Sequence, residues 1–254
     1  MNAPPQSRST NAAAIGRSLD IYYRDADRTA RMDRLNAAFV QPGMLAFDLG
    51  AHVGDRTASF LKLGASVVTV EPQPSVFRAL QLLYGREQRV SLYQAAVGDA
   101  AGEIALHLNT ANPTVSTVSP DLIAASATAE QWQGQVWDQV IKVPVITIDQ
   151  LIEAHGLPQF IKIDVEGHEL AALSGLSQAV PALSFEFTTI QRDVAVACID
   201  HLDGYMFNLS LGEEHKLRYQ QWIDGAAMKA EIMALPIAAN SGDIYARWAA
   251  GDPG

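Results

Sequence analysis

Two short stretches of the sequence place acidic residues beside glycines at the ends of apolar runs. In "FDLGAHVGD", residues 47–55, an acidic residue near the end of an apolar run leads into a turn bracketed by Gly50 and Gly54. In "FIKIDVEGHE", residues 160–169, three acids and His168 follow a short apolar run that contains a lysine. Glycines let a backbone approach a ligand closely, and clustered carboxylates and histidines handle protons or cations. Both stretches are therefore candidate parts of a binding or catalytic site.

The first stretch discriminates between nucleotide cofactors. A dinucleotide pyrophosphate binds the backbone N–H groups of a G-x-G-x-x-G turn and the N-terminus of the following helix. Asp48 occupies the first glycine position of that pattern, and its carboxylate would repel phosphate. S-adenosylmethionine has no phosphate and carries an ammonium and a sulfonium, so Asp48 favours this cofactor. The alternative is a plain glycine-containing turn between a strand and a helix.

Two later strand ends extend the candidate cofactor site. Glu71 ends the next predicted strand, where a carboxylate can accept hydrogen bonds from ribose hydroxyls. The following strand leads into "AAVGD", in which Ala96 and Val97 could flank an adenine ring and Asp99 could accept from its exocyclic amine. A solvated acid at a strand end and a common "GD" turn are the alternatives for these two positions.

The second stretch carries the candidate catalytic residues. Strand alternation places Lys162 and Asp164 on one face, where charged residues are costly to bury unless they are paired or lie at the strand's mouth. His168 could act as a general base near neutral pH, and Asp164 or Glu166 could orient it or a substrate hydroxyl. The alternative is an ion pair between Lys162 and Asp164, followed by acids that the helix dipole favours in a first turn.

A divalent metal is a further hypothesis for the same group of acids. Hard cations take oxygen ligands, and the candidate set is Asp164, Glu166 and Glu186. No spacing in the sequence demands a metal, and the other histidines form no H-x-x-x-H motif. Metal dependence is therefore left open.

The elements around these residues predict a doubly wound α/β fold. Short apolar runs alternate with helix-like stretches, which indicates βαβ units and a mostly parallel sheet with helices on both faces. We expect this domain over residues 41–254, with a strand, a loop, a helix and a strand inserted at about 99–158 and lining the ligand crevice. A helical segment over 18–40 and a mobile tail over 1–17 are expected before it. The stretches "SLGEEHKLRYQQW" and "SGDIYARW" are expected to form a final antiparallel hairpin.

The composition and net charge of the chain disfavour several classes of protein. The chain has 254 residues and a formal net charge of -10 without a basic run, which disfavours nucleic acid as a partner. Its one cysteine, Cys198, excludes an intrachain disulfide and fits a reducing compartment. No signal-peptide pattern and no run of about eighteen apolar residues occurs, so we expect a soluble cytoplasmic protein without a membrane span. Whether it forms a homo-oligomer is left open.

With these residues identified, the sequence resembles the FkbM-type methyltransferases, a family of S-adenosylmethionine-dependent enzymes. The segment "IKIDVEGHE" with the downstream L-x-G is the most specific part of the resemblance. His52 and Gln94 depart from the pattern at positions where asparagine is frequent, which leaves details of cofactor positioning open. The matching stretches cover roughly residues 45–248 in the family's order and are "FDLGAHVGDRT", "VEPQPSVFRAL", "YQAAVGDAAGEIAL", "VITIDQL", "FIKIDVEGHELAALSGL", "LSFEF" and "GDIYARW".

The resemblance implies a Rossmann-like class I methyltransferase fold with a seven-stranded sheet. It implies O-methylation of a hydroxyl on a sugar, a glycolipid or a natural product, with S-adenosylhomocysteine as the product. An NAD-dependent oxidoreductase is the first rival, disfavoured because G-x-G-x-x-G and a Tyr-x-x-x-Lys pair are absent; a non-catalytic cofactor-binding module is the second. The candidate cofactor contacts around the turn and the strand ends, with their neighbours, are Asp48, Gly50, Ala51, His52, Gly54, Thr57, Glu71, Pro72 and Asp164.

Overall fold

A computed structural model describes residues 5–249 of the chain, with side chains from residue 11 onward. No helix among these residues is both long enough and apolar enough to cross a membrane. The helices are α1 (Pro5–Arg24), α2 (Ala26–Asn36), α3 (Asp55–Lys62), α4 (Pro74–Tyr84), α5 (Pro120–Ser126), α6 (Ile148–His155), α7 (Glu169–Ser174), α8 (Arg192–His201) and α9 (Gly225–Ala234). The strands are β1 (Leu45–Leu49), β2 (Ser66–Val70), β3 (Val90–Tyr93), β4 (Ala96–Val97), β5 (Gly102–Leu108), β6 (Gln139–Ile146), β7 (Phe160–Ile163), β8 (Ala182–Thr188), β9 (Tyr205–Leu211) and β10 (Ser241–Trp248).

The N-terminal segment differs from the expected mobile tail over residues 1–17. The chain is helical from Pro5, whereas residues 1–4 lie outside the described residues. Tertiary contacts explain the helix: Ala14 is buried, and Asn11 donates a hydrogen bond of 2.9 Å to the Ser75 hydroxyl at the start of α4. The helix was not expected, because a composition rich in Pro, Ser and Asn does not report contacts with distant residues; the mobility of residues 1–17 stays a prediction.

A seven-stranded sheet forms the centre of the fold, with the strand order β3-β2-β1-β7-β8-β10-β9. The first five strands of that order run parallel, whereas β10 is antiparallel to both of its neighbours, β8 and β9. The predicted antiparallel pairing at the C-terminus is confirmed. Its first strand ends at Leu211, so most of the stretch expected as a strand, residues 210–222, follows β9. A sheet of this kind opens a ligand crevice where the chain order reverses, between β1 and β7.

A row of polar side chains crosses the middle of this apolar sheet. Asp48 of β1 is in register with Thr69 of β2 on one side and with Lys162 of β7 on the other. Lys162 is in turn in register with Ser184 of β8. All four are buried. Since successive residues of a strand alternate between faces, their neighbours Phe47, Ile161 and Leu183 enter the apolar core on the opposite face.

A second, three-stranded sheet with the order β4-β6-β5 stands beside the main one. Its strands β5 and β6 are antiparallel and are joined by a loop and by α5, which is the order of elements expected for the insertion. Ser119 caps α5 by accepting a hydrogen bond from the Leu122 N–H. This inserted segment supplies one wall of the cavity described next.

Candidate active site

A cavity lies at the carboxyl ends of β1, β2 and β7, between the inserted segment and the N-terminal helices. The expected residues that it brings together are Asp48, Gly50, Ala51, His52, Glu71, Pro72, Ala96, Val97, Lys162, Asp164, Glu166 and Glu186. The expected residues that do not line it are Gly54, Thr57, Asp99 and His168. Carboxyl ends of parallel strands are the usual ligand position in such folds.

The turn after β1 has a backbone that only particular residues tolerate. Gly50 has φ +80°, and a Cβ at this position would lie 1.7 Å from the Asp164 carbonyl oxygen, so the ends of β1 and β7 approach too closely for a side chain. Gly54 has φ +81° and would meet Leu80 and Tyr84. His52 has φ +46°, in the left-handed region where Asn and His are enriched. This conformation gives a physical reason for histidine at a position where asparagine is frequent.

The hydroxyl of Thr57, a residue that does not line the cavity, holds Asp48 in place by a hydrogen bond. The Thr57 Oγ1 donates to Asp48 Oδ2 at 2.6 Å, and Thr57 also contacts Thr69 at 2.9 Å. Burial raises the pKa of Asp48 to about 6 although this hydrogen bond opposes the shift. Thr57 therefore orients the carboxyl group of Asp48 from outside the cavity.

Glu71 is fixed by the backbone of two loops. Its Oε2 accepts from the His52 N–H at 2.9 Å and its Oε1 from the Gln73 N–H at 2.8 Å. Burial raises the pKa of Glu71 to about 7, and the two backbone donors only partly offset that rise. Because each carboxylate oxygen has more than one lone pair, both can still accept from a ligand hydroxyl.

Lys162 is a fully buried cation with two carboxylate partners. Its Nζ lies 3.0 Å from Asp164 Oδ2 and 2.8 Å from Asp243 Oδ1, and it also donates to the Ile163 carbonyl. Burial alone would lower the pKa of Lys162, but Asp164 and Asp243 raise it above its ordinary value. The Lys162–Asp164 ion pair, which the sequence offered as the alternative to a catalytic role, is thus present, and Asp243 of the antiparallel strand β10 is the second carboxylate partner of Lys162.

Three half-buried carboxyl groups converge at the mouth of β7. One carboxylate oxygen from each of Asp164, Glu166 and Glu186 lies within 4.8 Å of the others. Burial, followed by the charge of Asp164, raises the pKa of both Glu166 and Glu186 well above the ordinary range. Such a group can hold a proton, accept from hydroxyl groups, or share a divalent cation.

The loop that carries Glu166 is held in an unusual backbone conformation. Glu166 has φ +53° and the next residue, Gly167, has φ +86°. Glu169 secures the loop, since its Oε1 accepts from the Val165 N–H at 3.1 Å and from the Gly167 N–H at 3.3 Å. Thr117 of the inserted segment donates to the Glu166 carbonyl at 2.5 Å. A strained non-glycine residue next to a cavity is a frequent companion of function.

His168 lies apart from the acidic group. It precedes α7 and lines a separate depression between the insertion and that helix. Burial lowers its pKa, with exposed Asp99 acting in the opposite direction. Two successive residues with positive φ angles, Glu166 and Gly167, turn the chain between Asp164 and His168.

Among the cavity residues that had not been singled out in the sequence, five carry a charge or a phenol. They come from the N-terminal helices, the start of α3 and the loop after β9, and are Tyr22, Arg28, Asp55, Arg56 and Glu213. Arg28 lies 2.8 Å from Asp55 and 2.6 Å from Glu213. Asp55 and Arg56 directly follow the glycine turn, and this adjacency was the one available signal. Nothing in the amphipathic pattern of the N-terminal helices marks Tyr22 or Arg28.

The seven-stranded sheet, with antiparallel β10 between β8 and β9, has the strand order of the Rossmann-like class I methyltransferase fold. The carboxylate-lined cavity lies at the ligand position of such a sheet, at the ends of β1 and β7. The family model described as "Methyltransferase FkbM domain" matches residues 48–221, and the chain belongs to this family. Membership of a methyltransferase family disfavours the dinucleotide oxidoreductase.

Individual relatives are distant. The hexuronic acid methyltransferase AglP of Haloferax volcanii is 26% identical over 152 residues, which are 58% of this chain and 56% of that protein. The methyltransferase FkbM of Methylobacillus flagellatus KT has 17% identity and a TM-score of 0.48, with 80% of this chain and 43% of that chain covered. A TehB-like S-adenosylmethionine-dependent methyltransferase of Corynebacterium glutamicum has 12% identity and a TM-score of 0.49, with 97% and 100% covered. The chain spans little more than half the length of the curated relative.

Proposed function

We propose that the protein transfers a methyl group from S-adenosylmethionine to a hydroxyl of a small-molecule or glycan acceptor. The observation that carries this proposal is the convergence of Asp164, Glu166 and Glu186 beside the glycine turn, within one cavity. The hexuronic acid methyltransferase relative supports a sugar-type acceptor. Oxygen is the expected nucleophile, since carboxylates are suited to accept and hold a hydroxyl proton.

The cofactor side of the cavity fits S-adenosylmethionine. Glu71 has lone pairs for the two ribose hydroxyls, and Gly50 lines the cavity without a side chain. Ala96 and Val97 provide a buried apolar surface for the adenine ring. Asp48 offers a carboxylate toward the positively charged end of the cofactor. When bound, this cofactor would supply an electrophilic methyl group to the acceptor oxygen and would leave as S-adenosylhomocysteine.

On the acceptor side, this chain's residues position a hydroxyl and take its proton. Lys162 fixes Asp164 by an ion pair and is a positioning residue. Glu166 and Glu186 hold their protons above the usual range of carboxyl pKa values, so either is a stronger proton acceptor than an ordinary glutamate once it is ionised. In-line alignment of the acceptor oxygen supplies most of the rate, since orientation alone can remove several kcal/mol of barrier. His168 takes no part in this scheme.

A screen with cofactor carrying a labelled methyl group tests the proposal. Sugars, uronic acids, glycolipids and small phenols are incubated with the full chain, with and without a chelator. We expect label on a hydroxyl oxygen of a glycan, and we expect Glu166→Gln or Glu186→Gln to lower kcat by at least about 100-fold while the affinity for S-adenosylhomocysteine is kept.

The matched control is Glu153→Gln, an exposed glutamate on α6, which should leave kcat unchanged. Loss of turnover on chelation, with recovery on added Mg²⁺, would assign the three carboxylates to a metal; turnover that persists would assign them to the proton. Label found on nitrogen or carbon alone would contradict the proposal.

A further inference from the structure

One peptide unit beside the cavity, which joins Glu166 to Gly167, is hydrogen-bonded at both of its ends. Its carbonyl oxygen accepts from the hydroxyl of Thr117 at 2.5 Å, and its N–H donates to Glu169 Oε1 at 3.3 Å. The first contact comes from the inserted segment and the second from the start of α7. Since a peptide unit is planar, two opposed hydrogen bonds fix its orientation. They also fix the direction in which the Glu166 side chain leaves the backbone.

The backbone of Glu166 needs such support because its conformation is unfavourable. Its φ angle of +53° lies in the left-handed region, which disfavours residues that carry a Cβ. Conformations of this kind persist only where the surrounding structure imposes them. Gly167 imposes nothing, since glycine adopts positive and negative φ angles about equally well. The orientation of this loop is therefore set by its hydrogen-bonding partners.

Thr117 is a rigid support for the loop. Its backbone exchanges two hydrogen bonds with His107 of β5, at 2.8 and 3.0 Å. Its side-chain oxygen accepts from the Ser119 N–H at 2.8 Å, which leaves the hydroxyl proton for the Glu166 carbonyl. The residue is buried. The three-stranded sheet thus holds the Thr117 hydroxyl at a fixed place against the loop.

Close packing brings the inserted segment against the same loop. A Cβ at Gly167 would lie 2.7 Å from Gln191 Oε1, 3.1 Å from Leu122 Cβ and 3.4 Å from Ser119 Cβ. Leu122 and Ser119 belong to the inserted segment, and Gln191 immediately precedes α8. Gly167 therefore lies between these two parts of the chain without room for a side chain, and the loop has little space in which to move.

Only one of the three converging carboxyl groups depends on this loop. Asp164 directly follows β7 and Glu186 lies within β8, so the main sheet places both of them. Glu166 lies beyond the sheet, yet one of its carboxylate oxygens is within 4.8 Å of an oxygen of each of the other two. A rotation of the peptide unit after Glu166 would move its carboxyl group while the other two stayed in place.

We propose that Thr117 is a positioning residue for the methyl transfer, because its hydroxyl holds Glu166 beside Asp164 and Glu186. The inserted segment is then part of the catalytic machinery as well as a wall of the cavity. The inference rests on the proposed function, in which Glu166 can take the proton of the acceptor. Thr117 acts through the backbone of Glu166, since its hydroxyl proton is already donated to that carbonyl. Its loss should affect the transfer step rather than cofactor binding.

Two variants of Thr117 in the full chain test the inference. Thr117→Val keeps the shape of the side chain without the hydroxyl, and Thr117→Ser keeps the hydroxyl. Amide hydrogen exchange, measured by NMR without cofactor, follows the N–H groups of Val165 and Gly167, which donate to Glu169. We expect exchange of both to become at least about five-fold faster in Thr117→Val, as the loss of one net hydrogen bond predicts. Thr117→Ser should exchange at the wild-type rate.

Turnover is measured with saturating labelled S-adenosylmethionine and with the pooled sugars and uronic acids of the screen as acceptors. The rate of label transfer should fall by at least about ten-fold in Thr117→Val, since misplacement of a reacting group by about 1 Å can cost about 100-fold. Thr117→Ser should restore the rate. The affinity for S-adenosylhomocysteine should be unchanged in both variants.

Thr189→Val is the matched control. Thr189 is also buried, and its hydroxyl donates to a distant carbonyl, that of Ile237, at 3.0 Å. This variant loses the same kind of hydrogen bond away from the Glu166 loop. It should therefore keep the wild-type rates of both label transfer and loop exchange.

Wild-type exchange in Thr117→Val would overturn the inference, whatever its turnover, because Thr117 would then not hold the loop. A Thr117→Ser variant as slow as Thr117→Val would overturn it too. Loss of turnover in Glu166→Gln but not in Thr117→Val would do the same and would leave the proposed function standing. Wild-type turnover in Glu166→Gln itself would contradict the role that the proposed function gives to Glu166. Because exchange needs no acceptor, it can overturn the inference independently of the proposed function.

Discussion

At the scale of single residues, the buried carboxyl groups set how the protein responds to pH. Glu71 accepts from two backbone N–H groups, yet burial raises its pKa to about 7. The folded state therefore holds a proton on this group that the unfolded chain releases near pH 4.5. Stability from this proton is fully present below the unfolded pKa and is lost as the pH rises through the folded pKa.

We predict that Glu71→Gln makes the free energy of unfolding less dependent on pH and weakens cofactor binding. In the wild type without cofactor, the raised pKa of Glu71 lowers the free energy of unfolding between pH 4.5 and 7 by on the order of 3 kcal/mol. The variant should lose correspondingly less over that interval. Its affinity for S-adenosylmethionine should fall by at least about ten-fold, because charge-assisted hydrogen bonds to the ribose are lost.

Urea denaturation at several pH values and calorimetric titration measure the two effects. Glu153→Gln, on the exposed face of α6, should reproduce the wild-type pH profile. Parallel profiles for the wild type and Glu71→Gln would show that Glu71 titrates near its ordinary pKa in the folded protein.

The sequence located cavity residues where a simple rule connects position and structure. Asp48, Glu71 and Asp164 follow from residue type at the carboxyl end of a parallel strand, and all line the cavity. Tyr22 could not be found in this way, because its place depends on how α1 packs against residues far along the chain. The roles proposed for the three acids remain predictions.

At the scale of secondary-structure elements, the turn between β1 and α3 lines the cavity and is held in place by contacts with α1, α4 and β7. The hydroxyl of Tyr23 in α1 lies 2.9 Å from the Val53 carbonyl and 2.6 Å from the hydroxyl of Tyr84, which donates to the Gly54 carbonyl at 2.9 Å. Two hydroxyl groups thus fasten α1 and α4 to the turn. Gly50 permits the approach of β1 to β7 at its start.

We predict that Gly50→Ala disrupts this turn, because its Cβ would lie 1.7 Å from the Asp164 carbonyl oxygen. The free energy of unfolding should fall by at least about 3 kcal/mol, from left-handed strain of roughly 1–2 kcal/mol plus the displacement of β7. Binding of S-adenosylmethionine should be lost. Thermal unfolding and calorimetric titration measure both changes.

Gly43→Ala is the control that separates strain from collision. Gly43 has φ +82°, close to the +80° of Gly50, and a Cβ there would meet nothing within 4 Å. This variant should lose only the strain, about 1–2 kcal/mol, and should bind the cofactor normally. Equal losses in the two variants would mean that the ends of β1 and β7 can separate without penalty.

The alternation of apolar strands with helices predicted the parallel part of the sheet because buried strands leave a local trace in the sequence. The N-terminal helix α1 left no such trace over residues 1–17, since burial of Ala14 depends on distant partners. The antiparallel pairing of the hairpin was predicted correctly, but its first strand was expected over residues 210–222, whereas β9 ends at Leu211. Residues 212–222 follow β9 and include Glu213, which lines the cavity.

At the scale of the whole molecule, a chain of ion pairs joins the N-terminal helices to the central sheet. It leads from Arg28 in α2 to Asp55 and Arg56 at the start of α3, then to Asp243 in β10 and Lys162 in β7. Arg28 and Lys162 are buried at its two ends. Because each cation faces a carboxylate, ion pairs as well as packing connect the N-terminal helices to β7 and β10.

We predict that Arg28→Met destabilises the protein by about 3 kcal/mol, since removal of one partner leaves buried Asp55 with less compensation. Asp55→Asn in the same chain should restore part of the loss. Arg24→Met is the matched control: its ion pair with Asp20 is exposed at both ends, and its loss should cost less than about 1 kcal/mol. Equal losses for Arg28→Met and Arg24→Met in urea denaturation would contradict the prediction.

The insertion of β10 between β8 and β9 also sets the order in which the chain can fold during synthesis. Lys162 has both of its carboxylate partners only once Asp243, which lies 81 residues further along the chain, has been synthesised. Until residues 241–248 have left the ribosome, β8 has an open edge and β9 has no neighbour in the sheet. The Lys162–Asp243 ion pair and the pairing of β10 with β8 and β9 therefore form only after residues 241–248 have been made.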